Sequence, residues 1–192
     1  MPNQDFWNNP ESLWKSTVEV FEEYPENTIQ FKESIIVLAD GYAQTTPEDF
    51  KVRLDSLTDN KKAKKLALKE LEKLQKMETE FQIYSDRENV GNYVFVYSRS
   101  YIQFDERTAQ KHVSRLNNTL KNESHTQSVR YRRIHGRYFY TPVSKIVKLK
   151  YIKDRKFQTE YIVSSQNGGL GLLVSNFEDV DFEDSIKGLA LK

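Results

Sequence analysis

The stretch VRYRRIHGRYFY, residues 129–140, sets Arg130, Arg132, Arg133, Arg137 and His135 among Tyr131, Tyr138, Phe139 and Tyr140. Guanidinium groups are planar forks of donors that match phosphate, and tyrosine rings stack on bases or on guanidinium planes. The chemistry this mixture suits is recognition of a polyanion, because clustered cations attract a nucleic-acid backbone before any specific contact forms. Arginine and tyrosine are also favoured at the energetic centres of protein interfaces, so a protein partner is the competing expectation. His135-Gly136 reads as a tight reversal between strands at 128–134 and 137–141. Strand alternation then sends Arg130 and Arg132 to one side, and Tyr131 and Arg133 to the other.

Two neighbouring sets of cations enlarge this candidate surface. Asp105 is placed to cap a helix over 105–121, whose apolar stripe is Ala109, Val113, Leu116 and Leu120 and whose other side carries Arg107, Lys111 and Arg115 in one row. Lys148 and Lys150, with the other lysines of 145–156, extend the electrostatic footprint beyond the hairpin. A basic helix followed by a basic hairpin resembles the second half of a winged helix-turn-helix domain, over less than a quarter of the chain. That pattern wants a helix and tight turn beforehand, where YVFVYSRSYIQF reads as strand, so no family is assigned from it.

Other chemistry finds little support. The absence of cysteine excludes disulfides, thiolate metal sites and cysteine nucleophiles. His112, His125 and His135 lack the His-Glu-x-x-His spacing of zinc hydrolases. NGGLGLL at 167–173 is glycine-rich, but it lacks the lysine and the following helix of a phosphate loop, and reads as a turn into a strand. FEDVDFED at 177–184 fails the calcium-loop pattern counted from Asp179, because Asp184 and Ala190 stand where glycine and glutamate belong. A nuclease reading has only Asp154-x-Lys156, at an expected hairpin tip. The expectation is a non-enzymatic protein with no catalytic residues, no metal and no small-molecule cofactor.

The elements that must hold these residues divide near residue 90. Up to residue 89 the signals are helical: Leu13, Trp14, Thr17, Val18 and Phe21 at helical spacing, then a second stripe of Phe31, Ile35, Leu38 and Tyr42. Thr46-Pro47-Glu48-Asp49 starts a third helix, and a lysine-rich fourth has Ala67, Leu71, Leu74, Met77 and Phe81 on its apolar side. From residue 90 onward YVFVYS (93–98) is a strand, and after the 105–121 helix an antiparallel meander covers 128–134, 137–141, 144–153, 156–164 and 169–175. Alternation of Val147, Leu149 and Tyr151 with Lys148 and Lys150 predicts one buried and one wet sheet face. The fold class is therefore α+β, a helical amino-terminal region followed by an antiparallel β-meander with one packed helix. The halves 1–89 and 90–192 stand as two domains or as one.

Charge is nearly balanced, with 29 Lys and Arg against 28 Asp and Glu, but unevenly spread. Residues 1–30 hold six acids and one lysine, whereas 128–156 hold ten Lys and Arg against Asp154 alone. The longest apolar run, IIVLA, is far short of the roughly 20 residues that span a bilayer, and no signal peptide is evident. These features predict a soluble cytoplasmic protein without membrane attachment, and richness in Lys, Asn, Tyr, Phe and Ile suggests an AT-rich coding source such as a bacteriophage. The leading expectation is a regulatory binding protein contacting DNA or RNA, in keeping with a role in transcription regulation. The alternative is a phage-encoded modulator that binds a host regulatory protein and inhibits or redirects host transcription or replication machinery.

Overall fold

The computed structural model describes residues 28–32, 34–57, 59–103, 105–127, 130–165, 168–187 and 190–191. The helix expected around Leu13–Phe21 lies outside the described residues. Among the described residues there are ten strands and four helices: β1 (Thr28–Phe31), β2 (Ser34–Val37), β3 (Tyr42–Thr45), α1 (Pro47–Leu54), α2 (Lys61–Lys76), β4 (Phe81–Asp86), β5 (Tyr93–Arg99), α3 (Glu106–Gln127), β6 (Tyr131–Tyr140), β7 (Ser144–Lys153), β8 (Lys156–Ser165), β9 (Gly168–Asn176), α4 (Glu183–Lys187) and β10 (Ala190–Leu191). Helices and a seven-stranded antiparallel sheet make an α+β fold with a strand meander, the class expected from the sequence.

The sheet runs β3-β4-β5-β9-β8-β7-β6, and a small sheet of β1, β2 and β10 lies against one of its faces. Residue 90 falls in the loop joining β4 to β5, which are adjacent strands of the large sheet. Helix starts follow local chemistry. The side chains of Thr46, Asn60 and Asp105 accept hydrogen bonds from the backbone N–H groups of Asp49, Ala63 and Thr108, at 3.1, 3.1 and 2.6 Å. The tip between β7 and β8 turns on Asp154 and Arg155, both in the left-handed region at φ 48° and 71°.

Four expectations are corrected. Residues 28–45 form β1, β2 and β3 rather than a helix. Their Ile- and Thr-rich composition favours strands, and Phe31, Ile36 and Leu38 reach the core from a hairpin that reverses at Lys32, φ 53°. Phe81 opens β4 instead of ending a helix, because α2 stops at Lys76 and Glu78 takes φ 50°. His135-Gly136 is no hairpin turn: β6 is one continuous strand on β7, with a register shift between Arg133 and His135, so there is no wing.

The fourth correction concerns the sheet, whose central strands are covered on both faces. On one side Val94, Val96, Ile146, Tyr161, Val163 and Leu172 meet Phe31, Ile36, Phe182 and Ile186. On the other, Phe50, Leu54, Leu71 and Leu74 of α1 and α2 cover Ile83, Tyr93 and Phe95, while Ala109 and Leu120 of α3 cover Val147, Leu149, Tyr151 and Ile162. Two-sided burial explains the unbroken run YVFVY in β5.

Lys156, at the start of β8, is fully buried. Its ammonium lies 4.3 Å from the Tyr93 ring centroid and 5.0 Å from that of Phe177, and it donates to the Gly91 carbonyl. Burial pulls its pKa down to about 7, with the nearby Glu70 carboxylate opposing. Between pH 7 and the ordinary value of 10.5 the unfolded chain therefore binds the extra proton, and stability from this group rises with pH. In Lys156→Met the proton is gone, so the stability of the variant minus that of the wild type is expected to fall between about pH 6 and about pH 10. Urea titrations at the two pH values measure this, and a constant difference would contradict the assignment.

Candidate nucleic-acid interface

Edge strand β6 pairs only with β7, and its other side meets no strand among the described residues. Arg132 and Arg133 stand opposite Ile152 and Tyr151, so their side chains leave opposite faces of the sheet, as alternation requires. Arg130, Arg132 and Arg133 are exposed, and none forms an ion pair with a described residue. Arg107, Lys111 and Arg115 are likewise exposed along α3, which packs beside β6.

The remaining candidates have other employment. Tyr131 and Tyr138 are half-buried and, like Val113 and Leu116 of α3, pack against the clusters of Leu120, Leu149 and Tyr151 and of Ala109, Val147 and Ile162, so they support the helix–sheet contact rather than stand free for stacking. The Arg137 guanidinium meets Glu183 at 2.8 Å and lies 5.0 Å from the Phe139 ring centroid. Lys148, whose side chain is 4% exposed, is held by Asp181 and Glu183, each at 2.7 Å, and Lys150 pairs with Asp179. Lys153 is buried on Glu123 at 2.6 Å, and Lys156 is buried in its aromatic cage. The lysines of β7 and its tip are thus not the extended electrostatic footprint that was expected. The acidic segment 178–184 neutralises Lys148 and Lys150 within the chain, and Glu123 neutralises Lys153.

Asp181 sits at the centre of that neutralisation. Burial pushes its carboxyl up, but hydrogen bonds from Lys148 and from the Tyr161 hydroxyl outweigh burial and bring it down to about 2. The same acceptor network leaves Lys148 raised, although burial works against its charge.

At the far end of β6, Tyr140 and Tyr101 are 77% and 60% exposed and flank a groove of about 490 Å³, with Tyr138, Pro142, Lys145 and Ser164 among its lining. Sequence reasoning missed both rings as site residues. The available signal was Thr141-Pro142, which ends the strand and leaves Tyr140 at its last position. The reasoning also missed a polar cluster beneath α2 and α3. There Glu70 accepts from the Tyr93 hydroxyl and the Gln158 amide, both at 2.6 Å, and Glu123 joins Lys73 to Lys153. Glu70 lies three residues from Ala67 and four from Leu74, inside the apolar stripe, and that placement was its only trace in the sequence.

His112 is half-buried, and its pKa is lowered by burial and then by the charges of Arg99 and Arg115. Among the described residues no three His, Asp or Glu side chains converge as a metal site, and no helix is long and apolar enough to cross a membrane. Neither a family model nor a curated protein matches the chain.

The Asp181 carboxylate gives a pH signature. Its folded pKa of about 2 lies below the ordinary 3.8, so its contribution is full above that range and is lost as pH falls towards 2. Asp181→Asn is expected to be less stable than the wild type at neutral pH, with the urea midpoints of the two proteins converging as pH drops from about 5 to about 2.5. A gap that stays constant would mean that the carboxylate does not carry the contact.

Proposed function

We propose that this chain is a non-enzymatic binding protein that holds single-stranded nucleic acid along the β6 edge. The observation that carries the proposal is the cluster of Arg130, Arg132 and Arg133, exposed and without carboxylate partners among the described residues, while Lys148 and Lys150 of β7 are paired with acids of the chain. An uncompensated arginine cluster attracts phosphates and releases their counterions. The groove between Tyr101 and Tyr140 offers aromatic faces at the other end of the same strand, and stacking on such faces suits unpaired bases rather than duplex. Arg107, Lys111 and Arg115 widen the positive surface on the adjacent helix. Control of transcription by such binding is the regulatory form of this proposal.

A second reading rests on the side of β6 that meets no strand among the described residues, whose backbone N–H and C=O groups can pair with an added strand. Its occupant would be an acidic extended segment of a protein partner. The chain would then act as a protein-interaction modulator.

Fluorescence anisotropy with labelled single-stranded and duplex oligonucleotides, at low and near-physiological salt, separates the two. The single strand is expected to bind with a log-log salt slope of about −0.7 per neutralised phosphate. The triple variant Arg130→Ala, Arg132→Ala, Arg133→Ala should lose most of the affinity. Tyr140→Ala should weaken single-strand binding by about 1–3 kcal/mol and leave duplex binding nearly unchanged. Absence of binding at low salt, or a shallow slope unaffected by the triple variant, would overturn the proposal in favour of the protein partner.

A further inference from the structure

A cleft of about 430 Å³ joins helix α2 to the tip between β7 and β8. Helix α2 brings Lys62 and Lys65 to its lining, and the end of β7 brings Lys153 with Asp154. The carboxylates around it are all occupied. Glu70 accepts from Tyr93 and Gln158, Glu72 holds Lys76, Glu123 holds Lys73 and Lys153, and Asp154 accepts the Arg130 backbone N–H at 3.1 Å. Lys61, Lys62 and Lys65 are exposed and form no ion pair with a described residue, Asp59 included.

This lysine group continues the arginine cluster of β6. Asp154 donates its own N–H to the Arg130 carbonyl at 2.9 Å, so the cleft begins where that cluster begins. Arg155, next along the tip, is exposed and likewise has no ion pair among the described residues. Arg132, Arg130, Arg155, Lys62, Lys65 and Lys61 therefore pass as uncompensated cations from the sheet edge, over the tip, to the start of α2. The lysines also sit where they cost the fold something. No acid stands in the first turn of α2, and cations there oppose the positive end of the helix dipole. A polyanion lying across them would relieve that repulsion.

We propose that α2 is a second phosphate-binding segment for the same single strand, which leaves the Arg130 end of β6, crosses the β7–β8 tip and lies along Lys61, Lys62 and Lys65. This inference rests on the reading of β6 as a nucleic-acid edge and adds the substrate class, a strand longer than that edge. The ten residues of β6 span about 33 Å at the usual rise per residue. A short strand fills this length alone, whereas a long one gains the lysines through its own continuity. Lysine suits such a segment, because a point charge on a flexible stem follows phosphates without reading bases.

The test titrates labelled oligothymidylates of about 5 and about 20 nucleotides with the full-length protein, followed by fluorescence anisotropy. The variant Lys61→Gln, Lys62→Gln, Lys65→Gln is compared with Arg130→Ala, Arg132→Ala, Arg133→Ala. The glutamine variant is expected to bind the long strand about tenfold more weakly at low salt, with a log-log salt slope shallower by about 2, and to bind the short strand as the wild type does. Its thermal midpoint should be equal or higher, because charges opposed to the helix dipole are gone. The arginine variant should weaken both strands. Unchanged long-strand binding in the glutamine variant, with both strands weakened in the arginine variant, would overturn this extension and leave the β6 edge standing. Equal losses for the two strands in the glutamine variant would also overturn it, since the lysines would then act on the β6 site only as a distant field. Short-strand binding that survives in the arginine variant would sink the β6 reading and this extension together.

Discussion

One ammonium group organises an entire face of the large sheet. Lys148 projects from the middle of β7 into a layer made of β1, β2 and the segment after β9, where Asp181 and Glu183 receive it and the Tyr161 hydroxyl donates a further hydrogen bond to Asp181. A buried charge is tolerable only when it is paired and hydrogen-bonded. The pairing fixes where the acidic segment runs, and this places Phe182 and Ile186 over Tyr161, Val163 and Leu172. It also brings the chain end to β2, where β10 adds the third strand of the small sheet. Without the Lys148 contacts, that apolar face would have to be closed by hydrophobic packing alone, with a cation left underneath.

The opposite face solves a similar problem with different groups. Three polar side chains of β8, Lys156, Gln158 and Glu160, point beneath the helices and find, respectively, two aromatic rings with a carbonyl, the Glu70 carboxylate, and the Tyr97 hydroxyl. Burial keeps Tyr93, Tyr97 and Tyr151 protonated well past the usual tyrosine range. The phenols are therefore dependable donors, and the helices pack on the sheet through a layer that is partly polar.

Features encoded locally were legible in the sequence. Thr46 and Asp105 announce helix starts through their own side chains, Asp154 and Arg155 mark a reversal, and β5, β7, β8 and β9 follow their composition. What escaped was encoded at a distance. Alternating lysines in β7 looked like a solvated face because the acids that neutralise Lys148 lie 33 and 35 positions away. The spacing of Phe31, Ile35, Leu38 and Tyr42 fits a helix as well as a hairpin, and only the neighbouring strands decide. In the candidate interface, the exposure of Arg107, Lys111, Arg115, Arg130, Arg132 and Arg133 could be read from local periodicity. The internal pairing of Arg137, Lys148 and Lys150 could not, because their acidic partners lie far along the chain.

The β6 edge also bears on how copies of this chain meet in a crowded solution. A ten-residue strand with one side unpaired among the described residues is a template for uncontrolled sheet growth and amyloid-like stacking. Here the bulge beside Ile134 breaks the register that a second strand would need, and antiparallel approach of two β6 edges would set arginines against arginines. The same charges that suit the strand to a polyanion thus act as a colloidal barrier between identical molecules. Mutations that neutralise them would lower that barrier and be felt as precipitation.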